Sequence, residues 1–345
     1  MFMWMVQFRK DNILDRLVIV NDSSSEVEGE GNRDDHNVGT CIYCPGNEHL
    51  TKPAVLVLVQ KEGIVRRLSD TEDNRIDDWC VRVVPSSNPL VSISANGTYS
   101  NKPFYSEPAY GYHYLLVASR EHCRPSYIPA EQWSNVLVAL QDRVKWLYMQ
   151  KGVSYVAVYM DYDASSGWHP NLNIVTFPYM PPLIEQEVES INRYINEAGL
   201  CPICNIVSME DKSPRHLVSI ENFTALCPWA PTYPYEFWIV PKRHGIQLLR
   251  MTQKEIDELA TMLRVMLGGL YTALGDVRFS MIVHASSEKS RKQLHWHIEV
   301  HPRLVDKHGL EDGFGVHFLS VSPEYAASKL SVASRRELAK LVGIT

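Results

Sequence analysis

The 345-residue sequence lacks any tract of clustered lysine and arginine, and its formal net charge is −6. Proteins that bind a nucleic-acid backbone concentrate positive charge, so the composition argues against a nucleic-acid partner. The sequence also lacks a run of about 18 apolar residues, which a membrane-spanning helix needs. The apolar stretch within residues 1–10 is too short for a signal peptide, and its charged residues follow the apolar part. We therefore expect a cytoplasmic protein with no membrane partner.

Cysteine is also sparse: there are seven residues, an odd number that does not indicate a disulfide framework. Four of the seven form two Cys-x-x-Cys pairs, Cys41 with Cys44 and Cys201 with Cys204. In a reducing compartment such pairs indicate either metal sites or redox motifs.

The most informative stretch, residues 293–301, places polar or ionisable groups at every second position. On a β-strand this period puts His295, His297, Glu299 and His301 on one face and apolar residues on the other. Three imidazoles and a carboxylate on one face suit metal binding or phosphate chemistry better than a packed core. The alternative is a polar sheet face that carries these histidines incidentally.

The order of elements in the first half of the chain repeats in the second half. Each half reads as a Cys-x-x-Cys knuckle, strands, a strand that leads into a histidine, a helix, a strand and a second histidine-containing strand. The first half is longer because of polar loops, among them residues 21–38 and 96–103. We conclude that the chain is an internal duplication and predict two domains, residues 1–199 and 200–345.

Hydrophobic spacing predicts the elements that carry this repeat. A helical period indicates helices at residues 129–148, 183–198 and 252–274. Thr252 and Glu255 form a capping-box pattern at the start of the third helix. Alternating or continuous apolar runs indicate strands at residues 55–60, 80–84, 112–118, 153–160, 173–177, 223–227, 237–240 and 279–284.

Each Cys-x-x-Cys pair can combine with two histidines from separate strands of its own half. The two sets are Cys41, Cys44, His122 and His169, and Cys201, Cys204, His244 and His295. Two thiolates and two imidazoles make a tetrahedral donor set that suits zinc, and four protein ligands make a closed, structural site. The rival is a thioredoxin-like redox motif, which is disfavoured because neither pair opens a helix after a buried strand. We therefore expect two zinc ions per chain.

Several segments match one known family. In the first half they are Cys41-x-x-Cys44-Pro45-Gly46-Asn47-Glu48, Arg82-Val83-Val84-Pro85 with Asn88, and Gly111-Tyr112-His113 leading to His122. In the second half they are residues 223–230, Pro241-Lys242-Arg243-His244, residues 295–299 with Pro302-Arg303-Leu304, and Gly309-Leu310-Glu311. Together they resemble the galactose-1-phosphate uridylyltransferase family, the transferase branch of the histidine-triad superfamily. The resemblance implies a duplicated α+β fold, each half an antiparallel sheet with flanking helices, and a homodimer.

The resemblance also implies an activity in galactose metabolism, the transfer of UMP between a UDP-hexose (UDP-glucose or UDP-galactose) and hexose-1-phosphate. In the family, a histidine of a His-Pro-His-x-Gln motif attacks the α-phosphorus and holds the nucleotide covalently. Here the motif reads His169-Pro170-Asn171-Leu172-Asn173, so Asn171 occupies the nucleophile position and Asn173 the glutamine position. An amide nitrogen is delocalised and cannot replace the imidazole as nucleophile.

By the repeat, His297 stands at the position of the missing nucleophile, and two roles remain open for it. It could be a catalytic nucleophile of the second half, with Lys242 or Arg303 near phosphate. Alternatively, it joins a metal or hydrogen-bond network, because the resemblance implies that residues like Glu187 and His284 hold a second metal in many relatives.

The family match further implies substrate-binding roles for Arg82, Asn88, Ser166, Asn173 and Glu311, the last toward hexose hydroxyls. Two alternatives to uridylyl transfer stay open. One is a phosphorylase or hydrolase in which phosphate or water attacks the same α-phosphorus directly. The other is a catalytically silent protein that binds nucleotide sugars.

Overall fold

A computed structural model describes the protein over residues 6–10, 17–21, 41–93, 99–101, 104–164, 168–245, 247–290 and 294–343. These residues combine helices with antiparallel sheets, so the predicted α+β fold class is confirmed. No described helix is long and apolar enough to cross a bilayer.

The strands and helices fall into two sets, one in each half of the chain. The first-half strands are β1 (Val6–Lys10), β2 (Leu17–Asn21), β3 (Leu56–Lys61), β4 (Ile64–Leu68), β5 (Val81–Pro85), β6 (Tyr99–Asn101), β7 (Phe104–Pro108), β8 (His113–Val117), β9 (Tyr155–Tyr162) and β10 (Asn171–Phe177). The first-half helices are α1 (Ala130–Tyr148) and α2 (Pro182–Ala198). The second-half strands are β11 (His216–Ser219), β12 (Phe223–Leu226), β13 (Phe237–Pro241), β14 (Phe279–His284) and β15 (His297–Pro302). The second-half helices are α3 (Pro202–Glu210), α4 (Gln253–Leu274), α5 (Gly309–Phe314) and α6 (Pro323–Leu341).

Eleven strands form one sheet in the order β11-β12-β13-β15-β14-β9-β10-β8-β5-β3-β4, and all the pairings are antiparallel. The two halves join where β9 pairs with β14. Outward from this seam, the first half runs β9, β10, β8, β5 and the second half runs β14, β15, β13, β12. Strands with equivalent places in the chain thus occupy equivalent places in the sheet, which supports the duplication. The predicted boundary at residues 199 and 200 falls between α2 and α3, yet one sheet continues through both halves.

Helices α1 and α4 pack on each other and cover one face of this sheet. Alternate strand residues point toward them, as in β8, where Tyr114 and Leu116 are part of the main core. The predicted capping box opens α4. The Thr252 hydroxyl accepts from the Glu255 N–H, and the Glu255 carboxylate accepts from the Thr252 N–H at 2.8 Å. The opposite face of the sheet carries smaller apolar clusters together with the polar side chains of the site described below.

Helix α2 crosses part of this opposite face. Its apolar side chains Ile184, Val188 and Ile191 pack against Leu226 and Val240 of the second half. This packing fixes the position of the other side chains of α2, including one carboxylate that takes part in the site described below.

The three predicted helices and eight predicted strands all occur, with ends shifted by at most a few residues. The interpretation of residues 96–103 as a turn-rich loop is wrong in part, because β6 pairs with β7 as a hairpin. That pairing adds a short strand to a segment whose composition indicates turns. Within the predicted loop at residues 21–38, Asn21 ends β2 and the rest lies outside the described residues.

Candidate active site and metal centres

The first Cys-x-x-Cys pair lies in a tight turn that the following residues hold in place. The Cys44 N–H donates to the Cys41 carbonyl at 3.2 Å, and the Asn47 side chain donates to the same carbonyl at 2.8 Å. Gly46 has a φ of +91°, which residues with a Cβ rarely adopt. The buried Glu48 carboxylate accepts from the Gly46 N–H at 2.9 Å. The Gly-Asn-Glu sequence after the pair thus fixes the shape of the knuckle.

The four predicted ligands of the first set converge. Cys44 Sγ lies 3.6 Å from His122 Nδ1 and 3.7 Å from His169 Nδ1, and Cys41 Sγ lies 3.7 Å from His169 Nδ1. Usual Zn–S and Zn–N bond lengths in a tetrahedron separate sulfur from nitrogen by about 3.6 Å. Because the four donor atoms also lie within 4.8 Å of one another, this set could hold a metal ion.

The second set has the same geometry. Cys204 Sγ lies 3.7 Å from His244 Nδ1 and 3.2 Å from His295 Nδ1, and Cys201 Sγ lies 3.8 Å from His295 Nδ1. Cys201 caps the start of α3, but this helix follows α2 rather than a buried strand. The thioredoxin-like order of elements therefore does not occur at this pair, and the two adjacent imidazoles favour a metal role.

One histidine of each set is held by a backbone carbonyl. His169 Nε2 lies 2.8 Å from the Ser119 carbonyl, and His295 Nε2 lies 2.7 Å from the Pro241 carbonyl. A proton on Nε2 leaves the Nδ1 lone pair free toward the thiols. Burial lowers the pKa of both imidazoles to about 4, so both stay neutral, as metal ligands must be.

Two asparagines lie on β10, on the sheet face opposite α1 and α4. Asn171 and Asn173 are both half-buried, and Asn171 Nδ2 donates to the His169 carbonyl at 2.7 Å. In the second half, His297 Nδ1 lies 3.3 Å from the His295 carbonyl. Each side chain thus contacts the carbonyl two residues before it, and each begins its strand. This shared contact supports the correspondence between Asn171 and His297.

His113 lies beside Asn173, although its sequence position alone indicates no separate role. The imidazole is buried, with Nε2 3.0 Å from Asn173 Oδ1 and Nδ1 accepting from the Leu90 N–H at 3.1 Å. Leu90 belongs to the same exposed loop as Asn88. The structure thus brings this loop next to His113 and Asn173. The sequence signal that could have indicated His113 is a polar residue within an otherwise apolar strand.

His297 lies in a buried, acidic part of the same sheet face. Its side chain is 0% exposed, and its ring stacks on Trp238 with the centroids 4.6 Å apart. Its Nε2 lies 3.2 Å from Glu299 Oε1 and 3.7 Å from Glu187 Oε1. His284 joins them, with Nδ1 2.9 Å from Glu187 Oε2 and Nε2 3.5 Å from Glu299 Oε2.

Charges in this cluster are strongly coupled. Burial alone would raise the pKa of Glu299, but hydrogen bonds from His297 and His301 outweigh it and hold that pKa well below its usual range. Burial alone would lower the pKa of His284, but the Glu187 and Glu299 carboxylates outweigh it and raise that pKa. Glu299 therefore stays ionised and needs a protonated imidazole or a cation beside it.

Of the two roles left open for His297, this geometry supports the metal or hydrogen-bond network. A nucleophile must reach the α-phosphorus, whereas this imidazole is fully buried. Neighbouring carboxylates would also repel a phosphate group, by about 4 kcal/mol per pair of unit charges ~4 Å apart near a protein surface. The catalytic role of His297 stays a prediction, and the geometry favours the other role. The donor atoms of Glu187, His284 and His297 lie within 4.8 Å of one another and could hold a cation.

Arg82 has an acidic partner within the protein, and its contact with substrate stays a prediction. Its side chain is 2% exposed and forms a buried ion pair with Asp70. The Asp70 carboxylate also accepts from the Ala54 N–H at 2.9 Å and the Ile76 N–H at 3.0 Å. Breaking a buried pair costs about 3–5 kcal/mol, so Arg82 helps to hold a loop to the sheet.

Glu311 is also engaged locally, because its carboxylate accepts from the His308 N–H at 3.0 Å and the Phe318 N–H at 3.1 Å. Its contact with hexose hydroxyls stays a prediction. Asn88 is exposed, and its role likewise stays a prediction. Ser166 lies outside the described residues.

A half-exposed cation lies at the seam between the halves. Arg303 donates to Asp161 Oδ1 at 2.7 Å and also bonds Ser280, and its side chain is 50% exposed. Asp161 on β9 pairs with Ser280 on β14, and Ser280 pairs with His301 on β15. Asp161, Ser280 and Arg303 thus form a polar group at the seam, and His301 of the acidic cluster is the strand neighbour of Ser280.

Comparisons with known proteins cover nearly the whole chain. The sequence is 24% identical over 347 residues to the ADP-glucose phosphorylase of Arabidopsis thaliana, which covers 95% of this chain and 93% of that protein. It is 29% identical over 244 residues to the galactose-1-phosphate uridylyltransferase of Thermotoga maritima, covering 66% and 76%. No protein-family model matches the chain.

Solved structures show the same fold. A uridylyltransferase structure aligns with a TM-score of 0.76 at 22% identity, covering 96% of this chain and 99% of that one. The Arabidopsis thaliana ADP-glucose phosphorylase with bound ADP-glucose aligns with a TM-score of 0.70 at 21% identity, covering 94% and 98%. The protein is thus a homologue of proteins named galactose-1-phosphate uridylyltransferase and ADP-glucose phosphorylase, and it shares the fold of their solved structures.

Proposed function

We propose that the protein is an enzyme that transfers a nucleotidyl group from a nucleoside diphosphate hexose. The acceptor is a hexose 1-phosphate, as in uridylyl transfer, or inorganic phosphate, as in a phosphorylase. An oxygen of the acceptor attacks the α-phosphorus directly. The bond between this phosphorus and the bridging oxygen then breaks, and hexose 1-phosphate leaves with that oxygen. The uridylyltransferase and ADP-glucose phosphorylase relatives support this substrate class.

The hydrogen bond made by the Asn171 side chain is the observation that best supports direct attack. This side chain makes the same backbone contact as His297 does in the second half, so the local geometry of a histidine site persists without a nucleophile. We infer that the buried His297 does not replace it. A single displacement therefore fits the site better than a covalent nucleotidyl-enzyme.

The two asparagines of β10 can assist such a displacement. Asn171 Nδ2 donates to a backbone carbonyl, which leaves Oδ1 to accept a hydrogen bond from an attacking hydrogen phosphate and so orient it. Asn173 Oδ1 is bonded to His113, which leaves Nδ2 to donate to an α-phosphate oxygen.

We further propose that the two Cys₂His₂ sets bind zinc, two ions per chain. The sulfur–nitrogen separations and the neutral imidazoles support this. With four protein ligands each, the ions would be structural. The ions would hold His169 and His295 in place. Because Asn171 and His297 follow these ligands by two residues, the ions would also fix the positions of Asn171 and His297.

Direct displacement predicts inversion of configuration at the α-phosphorus. UDP-glucose and ADP-glucose with a chiral α-thiophosphate would each be incubated with galactose 1-phosphate or inorganic phosphate. We expect turnover with at least one pair and an inverted product. Retention would require two displacements and contradict the proposal. Binding without turnover would identify a nucleotide-sugar-binding protein instead.

Replacing His297 with asparagine tests the role of the second half. We expect turnover to stay within about threefold of the wild type, since ordinary effects away from reacting groups are small. Stabilisation by an added divalent ion should disappear, because one donor of the cluster is lost. Thermal melts with and without Mn²⁺ and steady-state rates measure both, with His216→Asn as a remote control. A loss of turnover by a hundredfold or more would instead support a nucleophile at His297.

A further inference from the structure

The imidazole of His113 has a defined tautomer. Its Nδ1 lies 3.1 Å from the Leu90 N–H, a group that can only donate, so Nδ1 must be the acceptor and carry no proton. A neutral imidazole then has its single proton on Nε2. That Nε2–H points at Asn173 Oδ1, 3.0 Å away. Burial lowers the pKa of His113 and keeps the ring neutral, although the Asn173 hydrogen bond opposes this.

The tautomer in turn fixes the amide of Asn173. Because Nε2–H donates, the amide must present its oxygen to His113, and a flipped amide would set two donors against each other. The NH₂ group is therefore directed away from the imidazole. Within the described residues no acceptor for Asn173 Nδ2 is found, and the residue is only half-buried. A fixed donor is thus left for a ligand on the face of β10.

We propose that His113 is a positioning residue that aims the NH₂ group of Asn173 at the α-phosphate of the bound nucleotide sugar. This inference rests on the proposed function, because it takes the face of β10 to be the substrate site. The hydrogen bonds run in one direction, from the Leu90 N–H to His113, from His113 to Asn173, and from Asn173 to a phosphate oxygen.

The chemistry of displacement explains why a fixed amide matters. Negative charge redistributes over the phosphate oxygens as the bond to the leaving group breaks. A donor already aimed at that charge stabilises the transition state with no cost for reorientation. A donor free to rotate loses that advantage, so its effect should fall on kcat more than on KM.

A double-mutant cycle with His113→Leu and Asn173→Ala tests this role. We expect His113→Leu to lower kcat by about 10–100-fold, somewhat less than loss of a whole oxyanion donor, with KM within about threefold. In an Asn173→Ala background, His113→Leu should have no further effect on kcat, since its influence acts through the amide. Effects that multiply in the double variant would overturn the proposal.

Two further variants separate positioning from folding. His113→Gln retains an N–H near the place of Nε2 and should recover part of the kcat lost in His113→Leu. His216→Leu, at a histidine that bonds Ser219 on the distant strand β11, should leave kcat unchanged. If the glutamine variant folds but recovers nothing, the directional hydrogen bond is not the cause.

The hydrogen bond can also be observed without substrate. Nitrogen-15 NMR of the imidazole should show His113 protonated at Nε2 and not at Nδ1, and a proton on Nδ1 would refute the positioning role. Failure of the wild type to bind UDP-glucose or ADP-glucose in calorimetry would refute the proposed function, whatever the tautomer. The two failures are therefore distinguishable.

Discussion

Replacing Cys41 with serine is expected to remove one of two bound zinc ions and to destabilise the protein by several kcal/mol. Serine keeps the shape of the side chain but does not provide a thiolate, so the first Cys₂His₂ set loses a ligand and its charge balance. Structural zinc contributes its binding energy to folding, about 10–16 kcal/mol in zinc-finger peptides, and a larger fold should lose part of that amount. Elemental analysis and urea unfolding measure the two effects.

The matched control is Cys80→Ser, because Cys80 is a half-buried free thiol outside both sets. It should keep both ions and change the free energy of unfolding much less. Cys201→Ser should also remove one ion, this time from the second set. If the purified wild type folds with a zinc content near zero, or if Cys41→Ser keeps both ions, the zinc proposal does not hold.

The parts of this structure that could be predicted from sequence depend on local periodicity. The alternation over residues 295–301 places His297, Glu299 and His301 on one face because successive strand residues always point to opposite sides. The two Cys₂His₂ sets could be assembled because the duplication supplies each spacing twice. A Cys-x-x-Cys knuckle and a strand that leads into a histidine can each be recognised from a short stretch of sequence. The fold brings the two together in each half, as the repeat predicts.

The roles of single side chains depended on long-range packing and could not be predicted in this way. His284 meets Glu187 across 97 positions of sequence, only because the apolar side of α2 docks on the second half. That docking brings the Glu187 carboxylate to His297, in addition to Glu299 of its own strand, and no spacing rule indicates this second carboxylate. The ion pair of Arg82 with Asp70 also depends on packing. The order of residues along the sequence does not show that the two side chains are buried together.

Replacing Asn171 with histidine is expected to produce a covalent nucleotidyl-enzyme that the natural protein does not form. The new Nδ1–H could donate to the His169 carbonyl, as Asn171 Nδ2 does now at 2.7 Å. Its Nε2 would then keep a free lone pair directed toward the face of β10, the arrangement that a nucleophilic imidazole needs. Positioned catalytic groups contribute at least on the order of 10²-fold, so exchange of label between UDP-glucose and galactose 1-phosphate should rise by about that factor. The measurement is acid-labile, base-stable incorporation of α-phosphate label, mapped to residue 171.

Asn171→Gln is the control for this gain, because it enlarges the side chain without adding a nucleophile and should form no adduct. With histidine in place, the product configuration should change from inversion to retention, since two displacements replace one. Label at residue 171 with retained configuration would show that the first half lost a covalent mechanism through one substitution. If Asn171→His folds and binds nucleotide sugar but forms no adduct, then other residues, Asn173 among them, also set the phosphate geometry. In that case the natural protein positions its substrate for direct attack only, and the loss of the nucleophile came with a rebuilt site.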